Sequence, residues 1–226
     1  MERKSLKRNH RRTISTPDMV EANRLSMSST SSQLPDIVVS AISYINLYGL
    51  KVEGIFRVNG DLKLAETILE RSKSGCIIDL DSELGSSPNE VNCRTVASLL
   101  KMYFRNSPEP LFPYPIYKSV LRYCRNATKL KQVIDSAMSK ESHHALCAIL
   151  RLCERVSKFA NVNMMHPNAL SICWGASLIK APPASGDQAD SMMFAAAMFV
   201  NLSLSLSLSL LFTNNTKIKI QGRWKT

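Results

Sequence analysis

The chain has 226 residues, 45% of them apolar, and its 29 Lys/Arg against 18 Asp/Glu give a formal charge of +11. That length suits one sizeable domain with tails and argues against two ordinary domains. Division of the charge argues against a basic nucleic-acid-binding domain: residues 1–33 carry seven Lys/Arg and three acids (+4), residues 201–226 four and none (+4), and residues 34–200 carry 18 and 15 (+3). A basic excess placed mostly in the ends favours tail contacts with acidic surfaces. The middle also lacks interleaved aromatic and basic residues of the kind that bind nucleic acid. Six cysteines lie scattered at positions 76, 93, 124, 147, 153 and 173, with no CxxC pair. They read as free thiols packed as small hydrophobes in a reducing, cytoplasmic compartment. His143 and His144 are adjacent rather than at metal-ligand spacing, so no metal is expected.

In chain order, residues 1–33 are rich in Arg, Lys, Ser and Asn and poor in large apolar residues. Such a segment cannot bury enough surface to offset its ordering entropy, and disorder is expected. Hydroxyls beside Arg11 and Arg12 offer a phosphorylation site, or simply a solvated tail. Order is expected from Leu34. Ile37, Val38, Ala41, Ile42 and Ile45 repeat at helical spacing, with Pro35 at the start and Gly49 as the stop.

Gly54-Ile55-Phe56-Arg57-Val58-Asn59-Gly60 follows. A glycine at each end suits a loop that turns sharply twice. Phe56 and Val58 are expected to tuck inward, leaving Arg57 presented outward on a stiff mount; an ordinary exposed loop arginine is the plainer reading. Leu62, Ala65, Ile68 and Leu69 mark the next helix, ending near Gly75, so the loop is clamped between two helices. Residues 76–91 read as a surface connection.

Val96, Leu99, Leu100, Tyr103 and Phe104 then form the apolar stripe of a strong helix. Lys101 and Arg105, four residues apart, point the same way, as a functional pair or a solvated basic face. A proline-rich run from Pro108 to Pro115 stops this helix. Three amphipathic segments come next, marked by Tyr117–Cys124, Leu130–Ala137 and Leu146–Phe159, the last with Ser142 as its N-cap. Pro167 opens one more helix, with Asn168 in its first turn, where an Asn usually bonds locally. About seven helical segments and no convincing hairpin make the body all-α.

From Ser191 to Phe212 no residue is charged, and Leu202 to Leu210 alternates Leu and Ser. Three readings stand open: a low-complexity tail of gene-level origin, a membrane anchor weakened by its serines and Asn201, or a part of the core. No GxxxxGK[ST] loop is present, so tight nucleotide binding by this chain, or any cofactor, is not expected. No nucleophile elbow is present either.

Three stretches resemble the signature blocks of the RhoGAP domain family, in the family's order and at about its spacing: Leu50–Gly60 (LKVEGIFRVNG), Val96–Leu111 (VASLLKMYFRNSPEPL) and Asn168–Leu178 (NALSICWGASL). The resemblance covers roughly residues 34–200. It implies an all-helical, monomeric domain that binds a GTP-loaded Rho/Rac/Cdc42-type small GTPase and accelerates hydrolysis there, so that the chain is a regulator rather than an enzyme with its own substrate. By position, Arg57 matches the family's arginine finger. Lys101 and Arg105 match the basic pair that steadies the finger loop and lines the GTPase-facing groove, and Asn168 matches the asparagine that contacts the switch region. Asn106-Ser107 and Ala176 depart from the usual pattern. The family also implies a further helical segment before Leu34 and a longer final helix where the Leu-Ser run stands. Loss of a core helix can exceed the roughly 5–15 kcal/mol by which domains are stable, so a non-catalytic GTPase-binding module or decoy is the alternative expectation, with recruitment to membranes through the C-terminal tail as an addition.

Overall fold

The computed structural model describes residues 34–183, apart from Ser86. The expectations for residues 1–33, for the Leu-Ser run and for the final basic tail lie outside the described residues. Within them the regular structure is helical, with no strand: α1 (Asp36–Tyr44), α2 (Leu62–Lys73), α3 (Leu80–Leu84), α4 (Glu90–Arg105), α5 (Tyr117–Tyr123), α6 (Ala127–Ala137), α7 (Lys140–Ser157), α8 (Ala160–Asn163) and α9 (Pro167–Leu178). The two helices beyond the seven expected from periodicity are α3 and α8, of five and four residues. Both are too short to display a repeat, which is why the 76–91 segment read as a plain connection.

Side-chain caps explain where several helices begin. The carboxylate of Asp61 accepts from the Leu64 amide, Asn89 from Asn92 and Asn126 from Lys129. Each supplies an acceptor to an amide that the first turn leaves unpaired. The cap of α7 is Ser139, whose hydroxyl accepts from the Ser142 amide. Ser142 was expected in that role; it sits three residues inside, at the donor end of the same bond. In α1, Pro35 stands just outside the helix, and its carbonyl accepts from Val38 and Val39. The chain does not stop cleanly after α1 but continues through one π-helical turn, Ile45–Gly49. Ile45 is fully buried there. A Cβ on Gly49 would come within 3.0 Å of its side chain.

The longest-range packing centres on α4, which lies against α1, α2 and α9. Val96, Ala97, Leu99, Leu100 and Phe104 are buried along it, and Glu90 and Arg105 place charge of the favourable sign at its two ends. Helix α9 is buried on several sides, through Leu170, Ser171, Trp174, Gly175 and Leu178. Its remaining edge, Asn168, Ile172 and Ala176, is exposed, while its buried sides pack against α4 and α7. The proline-rich segment after α4 is tied down at both ends of its path: Phe112 N–H donates to the Leu178 carbonyl at 3.3 Å, and Lys180 Nζ donates to the Ser107 carbonyl at 3.0 Å. Helices α4 and α9 thereby form the fixed floor on which the loop between α1 and α2 rests.

Candidate functional site

The loop at residues 50–60 is built around two left-handed residues. Gly54 has φ +66°, and its carbonyl accepts from the amides of both Arg57 and Val58 at 2.8 Å. Phe56 has φ +70°, a region that bulky side chains rarely adopt and that costs about 1–3 kcal/mol. Two contacts hold it there. Its ring is buried with its centroid 5.0 Å from that of the fully buried Trp174. Its carbonyl accepts from Lys101 Nζ at 2.5 Å. With Phe56 committed inward, the next residue is turned out, and Arg57 is exposed. Val58 departs from expectation: it remains 43% exposed, and the inward positions of the turn are taken by Ile55 and Phe56.

Gly60 serves for a different reason from Gly54. Its φ is ordinary, but a Cβ would lie 2.2 Å from the Thr95 amide nitrogen and 2.5 Å from Thr95 Oγ1. The loop's exit therefore touches the backbone of α4 directly. At that contact the Asp61 amide donates to Thr95 Oγ1 at 2.8 Å.

Helix α4 meets the loop with one stripe of polar side chains. Arg94, Ser98, Lys101 and Arg105 are spaced i, i+4, i+7 and i+11, which places them on one face. Arg94 donates to the Glu53 carbonyl, Nη2 at 3.0 Å and Nε at 3.4 Å, while Glu90 holds the same guanidinium at 2.8 Å. Ser98 Oγ accepts from the Gly60 amide at 3.5 Å. Lys101 holds Phe56. Burial pushes the Lys101 ammonium below the ordinary lysine range; the neighbouring Arg105 adds to that fall and the Cys173 thiol opposes it. Arg105 itself is exposed at the end of the helix.

The opposite side of the loop is held by the link between α8 and α9. Asn163 is fully buried; its Nδ2 donates to the carbonyls of Leu50 at 2.7 Å and Val156 at 2.8 Å, and its Oδ1 accepts from Met165 N–H at 2.7 Å. Its own carbonyl accepts from the Gly54 amide at 2.8 Å. Met164, at φ +59°, turns the chain sharply into α9. Asn168, in the first turn of α9, is exposed, and its carbonyl accepts from Ser171 Oγ. That bond is local to α9 and does not reach the loop. Cys173 lies nearer the basic groups: burial pushes its thiol up, with Lys101 and Arg57 acting in the other direction.

Of the four residues singled out from sequence, Lys101 is bonded to the carbonyl just before Arg57, Arg105 extends the same α4 face, and Asn168 lies on α9. Two positioning residues, Arg94 and Asn163, were not legible. Arg94 carried a signal, since it lies four residues after Glu90 and seven before Lys101. Asn163 carried none, because its Leu50 partner is 113 residues away in sequence. Among the described residues the Arg57 guanidinium has no ion-pair or hydrogen-bond partner. It folds back so that Nη2 would be 3.6 Å from a Cβ placed on Gly54. A planar cation with five donors and no acid beside it is free to accept a phosphate or carboxylate ligand.

The RhoGAP domain family model matches residues 35–183. Human SLIT-ROBO Rho GTPase-activating protein 3 is 31% identical over 154 residues, covering 66% of this chain and 14% of that protein. Rho GTPase-activating protein 15 of Gallus gallus is 25% identical over 170 residues, covering 73% of this chain and 34% of its own length. The chain thus spans a minor part of these relatives. The crystal structure of human Rho GTPase activating protein 15 superposes with a TM-score of 0.69 at 21% identity, covering 84% of this chain and 89% of that one. That similarity is one of fold. The family match spans the loop at residues 50–60, all of α4 and all of α9, and the chain belongs to the RhoGAP domain family.

Proposed function

We propose that this chain stimulates GTP hydrolysis by a Rho-family small GTPase, with Arg57 supplied in trans as an arginine finger. The observation that carries the proposal is the contrast within the loop: Phe56 is held by Trp174 and Lys101, while Arg57 beside it is exposed without an acid partner. Phosphoryl transfer needs little covalent chemistry from the protein. It needs charge stabilisation at the transferring phosphoryl group and a positioned water. A guanidinium can donate to several phosphate oxygens at once. Held on a rigid mount, it does so without reorganising at the moment of reaction. A finger of this kind contributes about 10³–10⁵ in rate, equivalent to roughly 4–7 kcal/mol of barrier.

Lys101 acts one step removed, by fixing the carbonyl immediately before Arg57. Arg105 and Asn168 are exposed on α4 and α9 and face the GTPase as binding residues. Bond breaking occurs in the GTPase's own active site, so this chain has no substrate that it converts alone.

The test is single-turnover GTP hydrolysis by a panel of Rho-, Rac- and Cdc42-type GTPases, with and without the folded chain. Stimulation of at least one GTPase is expected. Arg57→Ala should remove about 10³-fold or more of a full finger effect while sparing most of the binding. Arg57→Lys should restore little, because an ammonium lacks the planar fork. Binding without any stimulation would overturn the catalytic reading and select a non-catalytic GTPase-binding module.

A further inference from the structure

The peptide unit between Glu53 and Gly54 is gripped on both edges. Its carbonyl accepts from the Arg94 guanidinium at 3.0 Å, and its N–H donates to the Asn163 carbonyl at 2.8 Å. A peptide is planar, so two bonds in opposed directions fix its rotation as well as its place. The next carbonyl along the chain, that of Gly54, accepts from both Arg57 N–H and Val58 N–H. The orientation of this one peptide therefore sets the turn on which Arg57 is carried. Resting on the finger reading above, we infer that Arg94 is a positioning residue for Arg57, acting through the Glu53–Gly54 peptide and itself oriented by Glu90.

The charge and reach of Arg94 suit this role. Its side chain is only 20% exposed and so is held in place, although the bond to Glu53 lies at the surface; Glu90 is 63% exposed and adds orientation more than energy. Arg94 and Lys101 are two turns apart on α4, and they hold carbonyls three residues apart in the loop, at Glu53 and Phe56. The loop is fastened to the helix before and after its first left-handed residue. Lys101 fixes the peptide next to the finger; Arg94 fixes the frame from which the turn starts. Neither touches a phosphate in this arrangement. The effect of Arg94 on the reaction is one of placement, and a misplacement of about 1 Å can lower a rate by about 10²-fold.

The experiment compares the chain with its Arg94→Ala, Arg94→Lys and Glu90→Gln variants by two readouts. The first is amide hydrogen exchange at Gly54, Arg57 and Val58, which reports the loop without any GTPase. Arg94→Ala should accelerate exchange there by roughly 2- to 10-fold, the loss expected for a hydrogen bond at the surface. Helix α7 should be unchanged. The second is GTP hydrolysis by the most responsive GTPase across a range of chain concentrations. The maximal stimulated rate should fall by about 10- to 100-fold, while the concentration for half-maximal effect stays within about twofold. Arg94→Lys keeps a charge near Glu53 and should fall between the two, and Glu90→Gln should fall closer to the unmodified chain.

Unchanged loop exchange in Arg94→Ala would overturn the pinning. Faster exchange with an unchanged maximal rate would overturn the link to Arg57, as would a loss confined to affinity. If Arg94→Ala loses its cooperative melt, Arg94→Lys and Glu90→Gln decide by the same criteria. Absence of stimulation by the unmodified chain counts against the finger reading, and the exchange data still judge the pinning by itself.

Discussion

Replacing Gly60 by Ala tests the contact on which the loop's exit depends. The added Cβ would stand 2.2 Å from Thr95 N, 2.5 Å from Thr95 Oγ1 and 2.6 Å from the carbonyl carbon of Arg94. Two of those atoms are α4 backbone, packed from behind by α1, α2 and α9, so the loop must yield. Reaching an ordinary contact of about 3.5 Å requires a movement of roughly 1 Å. Overpacking of that size costs about 1–3 kcal/mol. Losing the Asp61–Thr95 bond, which has the Asp61 amide 2.8 Å from Oγ1, adds about 1 kcal/mol. A total of about 2–4 kcal/mol should lower Tm by roughly 5–12 °C in a domain of this size. Stimulated GTP hydrolysis should fall by up to about 10²-fold, since the same movement carries the finger. Gly75→Ala is the control: Gly75 has φ +83° with nothing within 4 Å of its added Cβ, so only the left-handed backbone cost of about 1–2 kcal/mol applies. The measurement is a thermal melt of both variants beside the hydrolysis assay. A Gly60→Ala variant that melts no lower than Gly75→Ala, with full stimulation, would refute the claim that the loop rests directly on α4.

Lys101→Met keeps the apolar stem but leaves the Phe56 carbonyl without its donor; stimulation should drop by about 10- to 100-fold, checked by the same hydrolysis assay against circular dichroism showing a retained helical fold. Asn163→Ala removes three side-chain hydrogen bonds in a fully buried site and should cost about 3–5 kcal/mol in denaturant unfolding. Asn163→Asp should be no milder despite its shape, because an ionised carboxylate cannot donate to Leu50 or Val156; an Asp variant as stable as the unmodified chain would contradict the assigned amide orientation. Stability should decline with alkaline pH. Burial pushes the Cys147 thiol up to about 11 and the Tyr44 hydroxyl up to about 12, and raises Cys93, Cys124, Cys153 and Cys173. These acids stay neutral in the folded chain while unfolded Cys and Tyr ionise near 8.5 and 10, so the stabilisation is complete below about pH 8.5 and is lost as pH rises toward the folded values. The lowered Lys101 acts in the opposite sense, as one group against several. Melts between pH 7 and 10 test the sign, and a Tm that rises over that range would refute it.

Much of the helical framework was legible because it depends on local rules. Apolar residues at 3.6-residue spacing and proline at the head of α9 act within a few residues of themselves. Arg57 and Lys101 stood out as residues for the same reason: a glycine-bracketed cation and a basic face are patterns of neighbours. The short α3 and α8, the π turn after α1 and the true cap at Ser139 were not legible, since helices of one turn lack a period and two serines three apart offer the same signal.

The tertiary structure decided what those residues do to one another. The sequence by itself put Phe56 and Val58 together as inward-facing residues; only packing against Trp174 separated them, one buried and one exposed. It treated Gly54 and Gly60 alike, whereas one supplies a left-handed turn and the other a direct approach to Thr95. It gave no sign of Asn163, whose bonds to Leu50 and Gly54 join segments more than a hundred residues apart. The chemistry of a presented arginine is a property of its side chain and can be read locally. The rigidity of its mount is a sum of contacts between distant segments, and those exist only once the helices have packed.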